Sequence, residues 1–462
     1  MSSSNHQESS GSRSWLGEAR ATILLALPLM AGQVGQMLMA LADTVMIGRV
    51  GVVPLAASTF ANTLLMVPFM FGIGLLACVS IRVSQGRGGK RHEDVKNVLR
   101  HGTWLSLAYG ICTMLLILAL LPFLDRFGQA PEVVAEAPAY LILCAISMVP
   151  VMVSIGWKNF GNALNQPWPP FYIQLSGVLC NIGLNWLLIY GHWGFPELGL
   201  AGAGWATLIS RCLVMLALLL WLKRARSVKE WCPHHWWIRL SGGELKKLLV
   251  LGVPVAFQMV CEVGAFAAAS LMAGRIGVEA LAAHQVALTC ASTSFMIPLG
   301  VAMAITVRMG EAFGEGQDPK KLHRILTGGW FYGVVFTGAS MMVFILCGHW
   351  LAGKIVLEPE VIDLAAKLLV IAGLFQLGDG LQVISSSALR GMGDVKLPAW
   401  LGVFSYWLVA VPLGAWLAFG RDLGAQGIWW GLAGGLSTAG GLLCVRAWRL
   451  ASAGPAADAQ SA

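Results

Sequence analysis

Twelve apolar stretches divide this chain, at about 22–47, 54–82, 98–121, 138–156, 169–190, 199–222, 247–273, 280–308, 325–348, 363–386, 398–419 and 423–446. Most are about as long as a helix must be to cross the hydrocarbon of a bilayer, roughly 20 residues. In lipid every backbone polar group must be bonded within the structure, so such stretches cross as helices. The composition agrees: 57% of residues are hydrophobic and 12% charged, against about 25% charged in an average soluble domain. The predicted class is an all-α polytopic membrane protein with twelve transmembrane helices. Pro28, Pro68, Pro150, Pro254 and Pro298 fall inside these spans, where neighbouring helices satisfy the backbone groups that a proline frees.

The second constraint is a duplication. A shift of 226 residues aligns Pro28 with Pro254, Gly48-Arg49 with Gly274-Arg275, Gly51 with Gly277 and Leu55-Ala56-Ala57 with Leu281-Ala282-Ala283. It also aligns Phe69-Met70 with Phe295-Met296, Gly74 with Gly300, and Arg82 with Arg308, without a gap. Two six-helix lobes with the same topology are predicted, related by a pseudo-two-fold axis along the membrane normal, with a site between them. The expected division is a disordered tail over 1–20, an N-lobe over 21–222, a linker over 223–246, a C-lobe over 247–446 and a disordered tail over 447–462.

Cations set the orientation. The loops after spans 2, 6 and 8 carry Arg82, Arg87, Lys90, Arg91 and Lys96, then seven Lys or Arg between Lys223 and Lys247, then Lys320, Lys321 and Arg324. The odd-numbered loops hold little beyond Arg49, Arg126, Arg275, Lys354 and Arg421. The positive-inside rule puts both termini and the even loops in the cytoplasm. The net charge of +8 thus reflects topology and gives no reason to expect a nucleic-acid partner. Ten scattered cysteines without a CxxC read as small buried hydrophobes. His234 and His235 in the linker lack a third ligand nearby, which argues against a metal site.

Three acids lie well inside spans: Asp43 in span 1, Glu262 in span 7 and Asp379 in span 10. A carboxyl at that depth is expensive and marks function by default. It can hold a proton, ligate a small cation or pair with a cationic substrate, and each of these is a transport role. No Lys or Arg is expected at similar depth in those three spans. Asn181 and Asn185, one turn apart on span 5, and Thr207 on span 6 form a polar patch suited either to facing Asp43 or to amide-mediated packing. His284 reads as a satisfied interhelical histidine. Met37, Met66, Phe257, Met259, Gln285 and Phe295, on spans 1, 2, 7 and 8, are candidates for lining a cavity between the lobes, adaptable in the way Met-rich surfaces are. Walker A, nucleophile-elbow and HExxH motifs are absent from the sequence, so neither direct ATP coupling nor an enzyme is expected.

Four segments carry a family resemblance: ALADTVMIGRVG (40–51), VCEVGAFAAASLMAGRIGVEALAAHQVAL (260–288), IPLGVAMAITVRMGEAFG (297–314) and LGDGLQVISSSALRGMGD (377–394). Through them the chain resembles the multidrug and toxic compound extrusion (MATE) transporters, of the NorM-like branch, over about residues 20–446. The resemblance implies a multi-pass protein of a bacterial inner membrane that works as a monomer without a cofactor. It would export small organic cations in exchange for Na⁺ or H⁺ by alternating access. It also implies that Glu262 and Asp379 form the cation-coupling pair, possible ligands of Na⁺, that Asp43 is the first-lobe acid, and that Asn181, Asn185 and Thr207 are its polar neighbours. The alternative is a flippase for a lipid-linked precursor, from the same wider superfamily. A flippase calls for an electropositive cavity, and the acids inside the spans argue for cationic cargo instead.

Overall fold

A computed structural model describes residues 14–233, 235–236, 240–316 and 318–453. The tail expectations for residues 1–13 and 454–462, and for His234, fall outside that range. Twelve long helices follow one another: α1 (Trp15–Gly48), α2 (Val52–Gly88), α3 (His92–Leu120), α4 (Pro131–Ala163), α5 (Trp168–Tyr190), α6 (Gly199–Arg224), α7 (Gly242–Ile276), α8 (Val278–Gly314), α9 (Pro319–Gly353), α10 (Pro359–Gly391), α11 (Lys396–Gly420) and α12 (Gly424–Ser452). No strand occurs among the described residues.

Each helix matches one apolar stretch, but several ends run further than the apolar signal. Residues 15–20, expected in a disordered tail, form the start of α1. There the Ser14 hydroxyl caps the helix by accepting from the Gly17 N–H, and Glu18 sits in the first turn, where the helix dipole favours an acid. Residues 447–452 are the last turns of α12. The connection between the halves shortens from 223–246 to 225–241, because α7 begins at Gly242. A helix that has left the hydrocarbon can continue with polar residues, so hydropathy alone underestimates its length.

The packing repeats with the sequence. In the first half α4 packs against α2, α3 and α6, and α5 against α6 and α1. In the second half α10 packs against α8, α9 and α12, and α11 against α12 and α7. The halves meet through α1 on α8 and α2 on α7, which are equivalent contacts under the repeat, and through α2 on α8 across the axis. Two glycines permit these crossings. A Cβ on Gly74 would lie 2.5 Å from the Cα of Ala256, and one on Gly300 would lie 2.6 Å from the Cα of Met30. Gly74 and Gly300 are 226 residues apart, and so are Met30 and Ala256.

From these crossings toward the face that carries both termini, the lobes are joined further. Glu18 on α1 pairs with Arg308 on α8, both buried. Its repeat equivalent, Glu244 on α7, lies 3.8 Å from Arg82 on α2. At the same face Gly88 abuts the Glu311 carbonyl and Gly314 abuts the Gln85 carbonyl, while Arg87 reaches Glu311 at 3.2 Å. In the opposite direction the close glycine crossings and ion pairs between the lobes cease among the described residues. α11 departs from regular geometry: π-helical turns at Phe404–Ala410 and Trp416–Gly420 flank a short α segment that contains Pro412, which has no N–H to give to the ladder.

Candidate functional site: a cleft flanked by two acid clusters

Away from the termini face, α2 and α8 carry exposed polar side chains within their apolar spans. These are Thr59, Asn62 and Thr63 on α2, and Gln285, Thr289, Ser292 and Thr293 on α8. Thr59 is the repeat equivalent of Gln285, and Thr63 of Thr289. Their spacing of three and four residues puts each set on one helix face. The five hydroxyls bond carbonyls of their own helices, so the exposed amides of Asn62 and Gln285 carry the argument. An amide at this depth is unfavourable against lipid, which assigns both stripes to the space between the lobes. Of the predicted cavity residues, Met66, Phe257 and Gln285 are exposed, while Met37, Met259 and Phe295 are half-buried; none belongs to the buried core. Apart from Gln285, the polar stripes were not singled out from the sequence. Comparing the halves for polarity as well as identity would have found them.

In the N-lobe the structure brings Asp43, Asn181 and Asn185 together. The Asn185 Nδ2 donates to Asp43 Oδ1 at 2.5 Å and to Asn181 Oδ1 at 3.3 Å. Both asparagines are fully buried, and the remaining amide atoms, Asn181 Nδ2 and Asn185 Oδ1, have no partner among the described residues. The Tyr190 hydroxyl donates to the Met46 carbonyl at 2.8 Å and so ties α5 to α1 beside the acid. Thr207 is buried nearby on α6, but its hydroxyl makes no hydrogen bond to this cluster among the described residues. One turn further on is a residue the sequence reading passed over. The Arg211 guanidinium donates to Ser147 Oγ at 2.7 Å and acts electrostatically on Asp43.

The C-lobe cluster joins α7, α10 and α11. Asp379 is buried and lies within the electrostatic reach of Glu262, and its Oδ1 has no partner among the described residues. The Tyr406 hydroxyl, carried by the first π turn of α11, accepts from Gln382 Nε2 at 2.9 Å and donates to Gln382 Oε1 at 3.1 Å, and it stands within the reach of Glu262. The expectation that no basic group approaches these acids is corrected. Arg390 acts on Glu262 and donates to Gln258 Oε1 at 3.0 Å, one turn from Glu262. The apolar stretch ends near residue 386, but α10 continues to Gly391 and carries Arg390 toward the acid.

His284 is buried, accepts from Trp429 Nε1 at its Nδ1 (3.1 Å), and has Ser270 Oγ 3.0 Å from its Nε2. With Nδ1 accepting, the proton sits on Nε2 and goes to the serine. The histidine is a satisfied packing group, as expected. No group of three or more His, Cys, Asp or Glu side chains able to hold a metal ion occurs among the described residues. Any cation at the Glu262–Asp379 pair would therefore take its remaining ligands from neutral oxygens.

Helical lobes related by a repeat, with a polar cleft between them and an acid cluster set within the spans of each, define a polytopic transporter fold. The MatE family model matches residues 28–187 and again 254–416, two matches whose starts lie one repeat apart. A protein of Bradyrhizobium diazoefficiens named "Probable multidrug resistance protein NorM" is 36% identical over 92% of this chain and 92% of its own length. The structure also superposes on a crystal structure of MATE in the bent conformation, with a TM-score of 0.87, 21% identity and coverage of 96% and 98% of the two chains. An outward-facing multidrug resistance MATE transporter gives a TM-score of 0.86, with 22% identity and coverage of 97% and 99%. The chain belongs to the MATE family, in its NorM-like branch.

Proposed function

We propose that this protein is a secondary active multidrug efflux antiporter of a bacterial inner membrane, exporting organic cations in exchange for Na⁺ or H⁺. The observation that carries the coupling is the orphan Asp379 Oδ1, buried within the electrostatic reach of Glu262. Two carboxyls within each other's field cannot both remain bare in a low-dielectric site. Arg390 offsets one negative charge, so the pair needs one further cation or proton to be neutral. A cationic drug drawn to the unfilled pair loses that attraction when the coupling ion fills it, and this reciprocal weakening is what antiport requires. Na⁺ would take both carboxylates and nearby neutral oxygens.

With both termini cytoplasmic, as the even-loop cations argue, the packed face is the cytoplasmic one and the polar cleft faces outward. Arg211 and Arg390, the cations beside the two acid clusters, are each held by polar or acidic neighbours, so neither is free at the clusters to take a lipid-linked phosphate as cargo, and this favours cationic cargo. We read the protein as a monomer that uses no cofactor and catalyses no chemical step. The test measures drug affinity against Na⁺ and against pH in wild type, Glu262→Gln and Asp379→Asn, with transport in proteoliposomes under separately imposed gradients. The variants are expected to lose ion-driven export while keeping weak drug binding. If neither ion shifts drug affinity in the wild type, the pair is not the coupling site.

A further inference from the structure

A cavity of about 20 Å³ lies between α1, α4, α5 and α8, with room for roughly one water-sized group. Lys158 and Asn162, one turn apart on α4, line it with Gln33 and Gln36 of α1, Gln174 of α5 and Met303 of α8. No carboxylate is part of the wall. Lys158 has no hydrogen-bond or ion-pair partner among the described residues. Asn162 is 3% exposed, and its Nδ2 has no partner among the described residues. A lysine this close to the end of α4 could thread its ammonium toward the interface. That would leave the Asn162 donor open, because bulk water does not reach it.

Every polar side chain of the wall can donate a hydrogen bond, and one carries a positive charge. We propose that this cavity captures one anionic oxygen of a phosphate or carboxylate on an amphipathic molecule, with Lys158 as counter-ion and the Asn162 amide as donor. Charge-assisted bonds of this kind are the strong ones, and basic pockets between transmembrane helices are suited to anionic headgroups. The cavity admits a single oxygen, so the rest of the molecule stays at its mouth. Met303 comes from the second half of the chain, whereas the other lining residues named here come from the first. Occupancy therefore bridges the lobes and favours the state in which they are packed as here.

The test uses the purified full-length protein in detergent and follows thermal unfolding against dioctanoyl phosphatidylglycerol, decanoate and uncharged dioctanoylglycerol. Saturable stabilisation by phosphatidylglycerol alone assigns the site to a lipid phosphate. Stabilisation by both anions assigns it to amphipathic anions generally, solutes included. Lys158→Met is expected to weaken the response at least tenfold with an unchanged elution profile, and Lys158→Arg to restore most of it. If Lys158→Met does not fold, Asn162→Leu carries the test by removing the donor alone. No response to either anion overturns the proposal, as does an equal response to dioctanoylglycerol or a wild-type response in the variants. None of these readouts depends on drug export, so this inference and the antiport reading can fail separately.

Discussion

At the scale of single residues, Asp43 is held by an amide and faced by a guanidinium. Asp43→Asn keeps the side-chain shape and an amide contact with Asn185 but removes the charge. Expression and thermal unfolding are expected to stay near wild type while drug export falls at least tenfold, measured by efflux rates in everted vesicles. Wild-type rates would remove Asp43 from the mechanism. The three acids were legible in the sequence because a carboxylate stands out in an apolar run. Arg211 and Arg390 were not. Arg390 lies past the apolar signal, and the significance of Arg211 depends on partners on α4 and α1 that are distant in sequence. Nothing local to Thr207 shows that its hydroxyl would stand apart from Asp43, since that depends on how α6 is rotated against α5.

Among the elements, α11 carries the consequence. Its π turn presents Tyr406 to both Glu262 and Gln382. Tyr406→Phe removes the bonds to Gln382 and leaves its buried amide with an open donor and acceptor, a cost of about 1–3 kcal/mol. The expected result is a lower thermal midpoint together with a changed Na⁺ or pH dependence of drug affinity, read by titration. A lower midpoint with unchanged ion dependence would make Tyr406 structural only. The twelve helices and their order were legible, since apolar length and loop spacing determine them. The π turns were not, because Pro412 alone does not say how the neighbouring turns will absorb a missing donor.

For the molecule as a whole, the ion pairs at the termini face are equivalent by repeat but unequal in environment. Glu18 and Arg308 have side chains only 3% and 9% exposed. Glu244 and Arg82, at 3.8 Å, are about a quarter exposed. Arg308→Met strands a buried acid and should cost about 3–5 kcal/mol; Arg82→Met should cost about 0–1 kcal/mol. Denaturation midpoints in detergent test the difference, and equal losses would refute it. Cysteine labelling at this face should rise far more in Arg308→Met. The duplication was legible from aligned identities. The inter-lobe pairing was not, because Arg82 reads as a loop cation and Arg308 only as its aligned counterpart until the crossing of α1 on α8 is known.

The reciprocal pairing of Glu18 with Arg308 and Glu244 with Arg82 has the form of an isologous contact. Each half offers an acid from its first helix and receives the other's acid at an arginine on its second, as two copies of one subunit do across a dyad. The recognition between halves is then written in the helices, and the peptide joining them adds only proximity. Residues 1–229 and 230–462, made as separate polypeptides in one cell, should find each other in the membrane and restore export. Arg308→Met in the second fragment should abolish that reunion even though the first fragment is unchanged. Co-purification through a tag on one fragment reads the outcome. Fragments that insert but fail to co-purify would show that the connection, and not the reciprocal pairing, holds the lobes together.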